Sequence, residues 1–377
     1  MAYKYKHFIP ENTAPKGAKS IGVYNNGKKV YDIPLGRLTH TKKEKLYSFG
    51  LLSDIHVDPY DKKPETKLEN ALLFFKKHGC SFLCHCGDIS MTGLWYPISE
   101  TEHTSYYSPA QFDIFYSICN KYNMPVYGCC GNHESYNTYD IAGTYTDIYG
   151  ADPTLVINNL EKLQEYTGNG LVFTMTQNKE KDVFIFVGQS TQQLPMTVEH
   201  LQWLYNTLEE NRNKRCFVFN HSFVSEDDSG NPMGFHSLPL FEFWGATNTK
   251  AFNDIMAHYK NTMFFHGHSH VHFSTQEQVS HAIYSTNLGY RSVHVPSSAN
   301  GRRILKEEST GAYKFEGKNP AFSLGYLVDV YEDCIVLNGI DFINNVYEPI
   351  GVYEIDTTLQ TIKAGTFKDV TGTITTS

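Results

Sequence analysis

From about Leu46 the chain repeats one hydrophobic and polar pattern. A short apolar run ends in polar or histidine-bearing residues, and a segment with helix-like spacing follows. The runs are "LYSFGLLSDIH" (46–56), "SFLCHCGD" (81–88), "PVYGCCGNHE" (125–134), "VFIFVGQS" (183–190), "RCFVFNHS" (215–222) and "TMFFHGHSH" (262–270). They read as strands. The intervening segments read as helices: "PETKLENALLFFKKHG" (64–79), with proline near its start and glycine at its end, then 108–123, 197–214 and 248–261.

After Phe273 the pattern changes. "AIYSTNL", "SVHVPSS", "GYLVDVYED" and "CIVLNGIDF" follow one another as strands with no room for helices between them. Upstream, "IGVYNNGKKVYDIPL" places two apolar-alternating runs around a strong turn signal and predicts a β-hairpin. The expected organisation is an extension with that hairpin over 1–44, one α/β domain over 45–355 and a polar tail over 356–377. Within the domain, βα units followed by a β-rich end imply two packed mixed sheets flanked by helices.

Composition narrows the picture. The 377 residues suffice for a sizeable core, and 41% apolar content argues against disorder. A net charge of −8 disfavours sequence-independent nucleic-acid binding, which rests on neutralising phosphates, so no nucleic-acid partner is expected. "MAYKYKHFIPENTAPKGAKS" lacks the apolar centre of a signal peptide, and no run approaches the ~18 apolar residues of a membrane span. The expectation is a cytoplasmic chain without a membrane partner. Oligomeric state has no signature in the sequence. The eight cysteines fall mostly inside apolar segments without regular C-x₂-C spacing, so they read as buried thiols rather than a zinc or disulfide cluster.

The chemistry gathers where the apolar runs end. Asp54 and His56 follow the first, Asp88 the second, Asn132 and His133 the third, His221 the fifth, and His268 and His270 the sixth. In an α/β sheet, loops at the carboxyl ends of strands converge on the ligand site. Carboxylate, imidazole and amide oxygen suit divalent Mn, Fe or Zn. The stretch "MFFHGHSHVHF" (263–273) also holds His266 and His272 at the same two-residue spacing, and Gly267 suggests that the chain turns there.

In order, "SDIH", "GDIS", "GNHE", "NHS" and "GHSH" resemble the signature of the calcineurin-like metallophosphoesterases. The resemblance spans 54–270, and the strands to about 355 resemble that family's second sheet. It implies a four-layer α-β-β-α sandwich and a dinuclear hydrolase of phosphoric esters. Asp54, His56, Asp88 and His270 would hold one divalent metal ion. Asp88, Asn132, His221 and His268 would hold the second, with Asp88 bridging. His266 and His272 would then be strand or rim residues, with Gly267 letting the chain bend between the two ions. Ions roughly 3.5–4 Å apart would bridge an attacking hydroxide in line with the ester, and His133 would assist the leaving group.

Departures from subfamilies narrow the substrate. Met91 stands where purple acid phosphatases carry a tyrosine ligand, and "GDISMTG" lacks the arginine of the protein Ser/Thr phosphatases. The pattern leans toward phosphodiesterases of small molecules. The alternatives are a phosphomonoesterase, or a non-catalytic metal-binding assembly module, whose expected sign is loss of a ligand or of His133. Candidate substrate contacts are Trp95 and Tyr106 in an aromatic loop, for stacking on a base or sugar, and Arg291, for an anionic group.

Overall fold

Parallel strands covered on both faces must be apolar throughout, and the runs of the sequence become such strands. The computed structural model describes residues 5–7, 20–25, 28–34, 44–58, 61–91, 108–135, 154–189, 196–222, 225–226, 232–233, 246–273, 283–285, 290–306, 313–315, 319–368 and 373–376. In chain order the first half comprises β1 (Tyr5–His7), β2 (Ser20–Asn25), β3 (Lys28–Pro34), β4 (Tyr47–Leu52), α1 (Lys62–Lys77), β5 (Leu83–His85), α2 (Ser108–Lys121), β6 (Val126–Gly128), α3 (Asn132–Ser135), α4 (Thr154–Thr167), β7 (Val172–Gln177) and β8 (Asp182–Val187). There follow α5 (Val198–Glu210), β9 (Arg215–Phe219), β10 (Ser225–Glu226), β11 (Pro232–Met233), α6 (Ala246–His258), β12 (Thr262–His266), β13 (Ile283–Ser285) and β14 (Arg291–His294). The last elements are β15 (Ile304–Lys306), β16 (Tyr313–Phe315), β17 (Leu324–Val330), β18 (Cys334–Asp341), β19 (Val346–Asp356), β20 (Gly365–Lys368) and β21 (Thr373–Thr376).

Two mixed sheets form the centre. One has the order β1-β19-β18-β17-β4-β5-β6 and the other β13-β14-β12-β9-β8-β7. Strands β4, β5 and β6 run parallel, as do β8, β9, β12 and β14. The phenylalanines Phe49, Phe82, Phe184, Phe217, Phe219 and Phe265 fill the space between the sheets. The first sheet's outer face packs on α1 and α2 through Leu68, Leu72, Phe75, Phe112 and Phe115, and the second's on α5 and α6 through Leu201, Leu204, Phe252 and Ile255. The layers are therefore helix, sheet, sheet, helix, as the fold class requires.

Helix α1 shows how the pattern works. Asp61 caps its first turn by accepting from the Lys63 backbone N–H at 3.0 Å, and Leu68, Ala71, Leu72 and Phe75 recur at helical spacing on the buried face. Lys67 lies on that buried face as well.

One expectation is corrected. The late strands β17–β19 do not build the second sheet; β17 pairs antiparallel with β4 and extends the first. Strands lacking helical crossovers add by antiparallel neighbours, and β4 offered the open edge. The pattern also does not predict α4 or β7. The latter is an edge strand with mixed exposure, so its apolar run is broken. Near the carboxyl end β20 and β21 pair with each other, and Phe367 stacks on Tyr205 of α5. All eight cysteines are free thiols, seven of them buried. Among the described residues no helix is long and apolar enough to cross a membrane.

At the end of the sheets where β9 begins, Arg215 donates two hydrogen bonds to Asp182, both 2.8 Å, and Tyr47 donates to the same carboxylate at 2.9 Å. Arg215 also donates to the Tyr331 carbonyl at 2.7 Å, so the Arg215–Asp182 pair ties β4, β8, β9 and the end of β17. Removing one partner of a buried pair strands the other charge. Arg215→Met is expected to lower unfolding free energy by about 3–5 kcal/mol in urea melts. Mn²⁺ affinity measured below the transition should stay at the wild-type value.

Candidate metal centre

Every metal-competent residue singled out from the sequence follows the carboxyl end of a parallel strand. Asp54 and His56 follow β4, Asp88 follows β5, Asn132 and His133 follow β6, His221 follows β9, and His268 and His270 follow β12. All are buried, Asp54, His56 and His221 completely. The sheets contribute from both sides of one crevice, so side chains up to 216 residues apart become neighbours.

Three groups of potential ligand atoms result, each with its atoms within 4.8 Å of one another: Asp54–His56–His270, Asp88–His221–His268, and His56–Asp88–His133. In the first, His270 Nε2 lies 3.1 Å from Asp54 Oδ1 and 3.1 Å from His56 Nε2. In the second, His221 Nε2 lies 3.1 Å from Asp88 Oδ2 and 2.9 Å from His268 Nδ1. His221 Nε2 is also 3.9 Å from Asp54 Oδ1, which links the two groups.

The tautomers decide what these contacts mean. His56 Nδ1 faces the Ser90 carbonyl at 3.1 Å, His270 Nδ1 the Asn300 carbonyl at 2.9 Å and His221 Nδ1 the Cys86 carbonyl at 2.8 Å. A carbonyl only accepts, so each Nδ1 donates and each neutral ring turns its Nε2 lone pair into the crevice. Two lone pairs 3.1 Å apart, on His56 and His270, repel unless a cation lies between them. This donor set fits divalent metal ions. Charge says the same. Burial would raise Asp54 and Asp88, yet His270 beside the first and His221 and His133 beside the second hold both well below the ordinary carboxylate value. Burial would lower His221, but Asp88 and Asp54 lift it to about 9. Without a metal the cluster gathers protons; with one, those protons are displaced.

The candidate ligands themselves carry the bends. Asp54, His56, Asp88, His268 and His270 have φ of 50°, 49°, 50°, 73° and 58°. Residues other than glycine rarely adopt this left-handed region, and each costs of order 1–3 kcal/mol. The expectation for Gly267 is corrected accordingly: the chain turns at His268 and His270. Gly267 is needed because a Cβ there would stand 1.8 Å from Ser53 Oγ and 2.6 Å from Asp54 Oδ2.

The supporting contacts include a residue outside the predicted ligand set. Glu134 accepts from the Asp88 N–H at 3.0 Å, the Ser90 N–H at 2.8 Å, the Ser90 hydroxyl at 2.9 Å and the Gly131 N–H at 2.7 Å. One carboxylate thus fastens the loop after β5 to the loop after β6. Its signal was the last letter of "GNHE". His133 donates its backbone N–H to Asp88 Oδ1 at 2.9 Å, places Nε2 3.8 Å from Asp88 Oδ2, and sets its ring edge-on to His56 at 4.6 Å. Asn132 opens α3 between Gly131 and His133, both of which approach Asp88.

Other candidates fall elsewhere. His266 ends β12 opposite His294, and His272 packs on Phe322 at 4.5 Å. His294 Nε2 lies 2.6 Å from the hydroxyl of Ser269, between the two ligands of that turn. Arg291 requires correction. It begins β14, at the end remote from the crevice, and its guanidinium donates to the carbonyls of Asp356 and Lys260, where it braces backbone rather than meeting an anion. Trp95 and Tyr106 lie outside the described residues.

The family model for the calcineurin-like phosphoesterases matches residues 47–272. Among solved structures, the chain resembles a dimetal phosphatase from Danio rerio at 13% identity and a TM-score of 0.51, over 84% of this chain and 100% of that one. It also resembles a purple acid phosphatase from seeds of yellow lupin, Lupinus luteus, at 12% identity and a TM-score of 0.51, over 84% of this chain and 57% of that one. At these identities the likeness is one of fold. No curated protein matches the chain in sequence.

Gly267→Ala drives a methyl group into Ser53 and Asp54. Its expected result is loss of most Mn²⁺ binding in calorimetric titration, together with a lowered melting temperature.

Proposed function

The chain belongs to the calcineurin-like phosphoesterase family and is a metal-dependent hydrolase of phosphoric esters; from that premise we propose that it cleaves phosphodiesters, with two divalent ions and with His133 assisting the leaving group. The observation that carries this reading is the pair of ligand groups facing each other across one crevice, with His133 beside Asp88, the carboxylate between them.

Asp54, His56 and His270 would hold one ion and His221, His268 and Asn132 the other, with Asp88 shared. Oxygen and imidazole donors of this kind suit Mn, Fe or Zn. Bound ions supply Lewis acidity at the phosphoryl oxygens and a hydroxide nucleophile near neutral pH. The chain's own residues do the rest. The Nδ1 hydrogen bonds to Ser90, Cys86 and Asn300 fix the rings of His56, His221 and His270 before any ligand arrives. Glu134 holds the shared carboxylate through its backbone. The His133 ring is steered by its backbone bond to Asp88 and by contact with His56, which leaves Nε2 as the group that hands a proton to the departing oxygen. An imidazole's ordinary pKa lies near working pH, which suits that task.

Two features support a diester. Met91, three residues past Asp88, offers no hard oxygen ligand, and "GDISMTG" supplies no arginine to offset the second negative charge of a monoester. A diester carries a single charge and needs less compensation. Trp95 and Tyr106 are the candidates for stacking on its organic group.

The test is hydrolysis of bis-p-nitrophenyl phosphate beside p-nitrophenyl phosphate, with Mn²⁺, a chelator control and Asp88→Asn as blank. Chelator-sensitive preference for the diester is the expected result; preference for the monoester would recast the chain as a phosphatase. His133→Ala should retain Mn²⁺ yet lose about 10²–10⁴-fold in rate on a diester with a poor leaving group, and less on p-nitrophenolate, which departs without a proton. An equal loss on both leaving groups would remove the proton-donor role.

A further inference from the structure

The segment 297–302 belongs to neither large sheet, yet it meets both Asp54 and His270. Ser298 donates its N–H to the Ser53 carbonyl at 3.0 Å, and the Ser297 hydroxyl donates to the Asp54 carbonyl at 2.9 Å. The Asn300 carbonyl accepts from His270 Nδ1 at 2.9 Å, and Arg302 donates to the His270 carbonyl at 2.8 Å. The orientation of two ligands of the first metal group therefore depends on where this turn sits. Only isolated bridges, Ser53 with Ser297, Val271 with Arg302 and Gly301 with Asn319, lend it sheet pairing.

What backs the turn from the far side is Lys67. Its ammonium donates to the carbonyls of Ala299, Pro320 (2.6 Å) and Phe322 (3.1 Å), three acceptors for three donors. Lys67 is 8% exposed, on the face of α1 that also buries Leu68, Ala71 and Phe75. Packing alone does not ask for a charge there. Burying an ammonium costs desolvation and rotamer freedom that an apolar side chain of similar length would not. The charge is aimed at the carbonyl adjoining the one that orients His270.

We propose that Lys67 is a positioning residue for the metal group Asp54–His56–His270, acting through the 299–300 turn that its ammonium clamps. The proposal rests on the two-ion reading given above. Orienting partners of this kind change metal affinity by about 10–100-fold when removed. The second group, Asp88–His221–His268, takes its orientation from Glu134 and from the Cys86 carbonyl, on the loops after β5 and β6, so the larger effect falls on the first ion.

The experiment titrates Mn²⁺ alone into the metal-free full chain, followed by calorimetry and by the Mn²⁺ electron paramagnetic resonance signal. The wild-type chain is expected to take two ions. Lys67→Met should bind one with wild-type affinity and the other 10–100-fold more weakly. Wild-type affinity for both overturns the proposal, as does equal weakening of both, which is what a purely structural role would give. Should Lys67→Met fail to fold, Ser297→Ala removes another of the turn's tethers, its bond to the Asp54 carbonyl, and is read by the same two outcomes. Fewer than two ions on the wild-type chain would overturn the two-ion reading, and this proposal with it.

Discussion

Imidazole lone pairs facing one another in a buried crevice are the constraint around which the rest of this structure is arranged. His56, His221 and His270 each spend their Nδ1 proton on a backbone carbonyl, so each presents Nε2 inward as an acceptor. Two carboxylates, Asp54 and Asp88, add negative charge at the same place. Such a cluster is stable only around positive charge. Protons can supply it in part, as the raised value of His221 indicates, and metal ions held by residues past the five strand ends would supply the rest.

Bringing these residues together has a cost, visible in the left-handed backbone at five candidate ligands. None is glycine, because each must carry a side chain, and so the strain has to be opposed by neighbouring contacts. Glu134 gathers the N–H groups of Asp88, Ser90 and Gly131; Ser297 holds the Asp54 carbonyl; His268 donates its own N–H back to Asp54 Oδ2 at 3.0 Å. Gly131 and Gly267 serve by having no side chain, since a Cβ at either would strike the carboxylate of Asp88 or Asp54. Lys67 extends the same support to a turn that no regular strand secures.

The two ends of the sandwich divide the work. Where the parallel strands finish, polar side chains crowd together against their own repulsion. Where β9 begins, Arg215 and Asp182 form a bonded pair within one sheet that reaches the other through Tyr47 and the Tyr331 carbonyl. Between them a layer of phenylalanine side chains keeps the sheets at fixed separation. Rigid packing in that layer lets the candidate ligands after β4 and β5 meet those after β9 and β12 at 3.1 Å.

The sequence by itself determined which residues could ligate and where in the chain they would fall. An apolar run ending in aspartate, asparagine or histidine carries both facts locally, because a parallel strand must be apolar throughout and its polar residues can only gather past its end. Hence Asp54, His56, Asp88, Asn132, His221, His268 and His270 stood out before any fold was known. Only the tertiary structure decided how the late strands β17–β19 join the first sheet, that Arg291 braces backbone far from the crevice, that the bend lies at His268 and His270 rather than Gly267, that Lys67 bonds the carbonyls beside the 299–300 turn, and that Glu134 gathers the backbone around Asp88. The reason is physical. Strand-edge choice, the direction of a long side chain and the backbone carbonyls it meets are set by residues tens to hundreds of positions away, and no local pattern of apolar and polar residues encodes them.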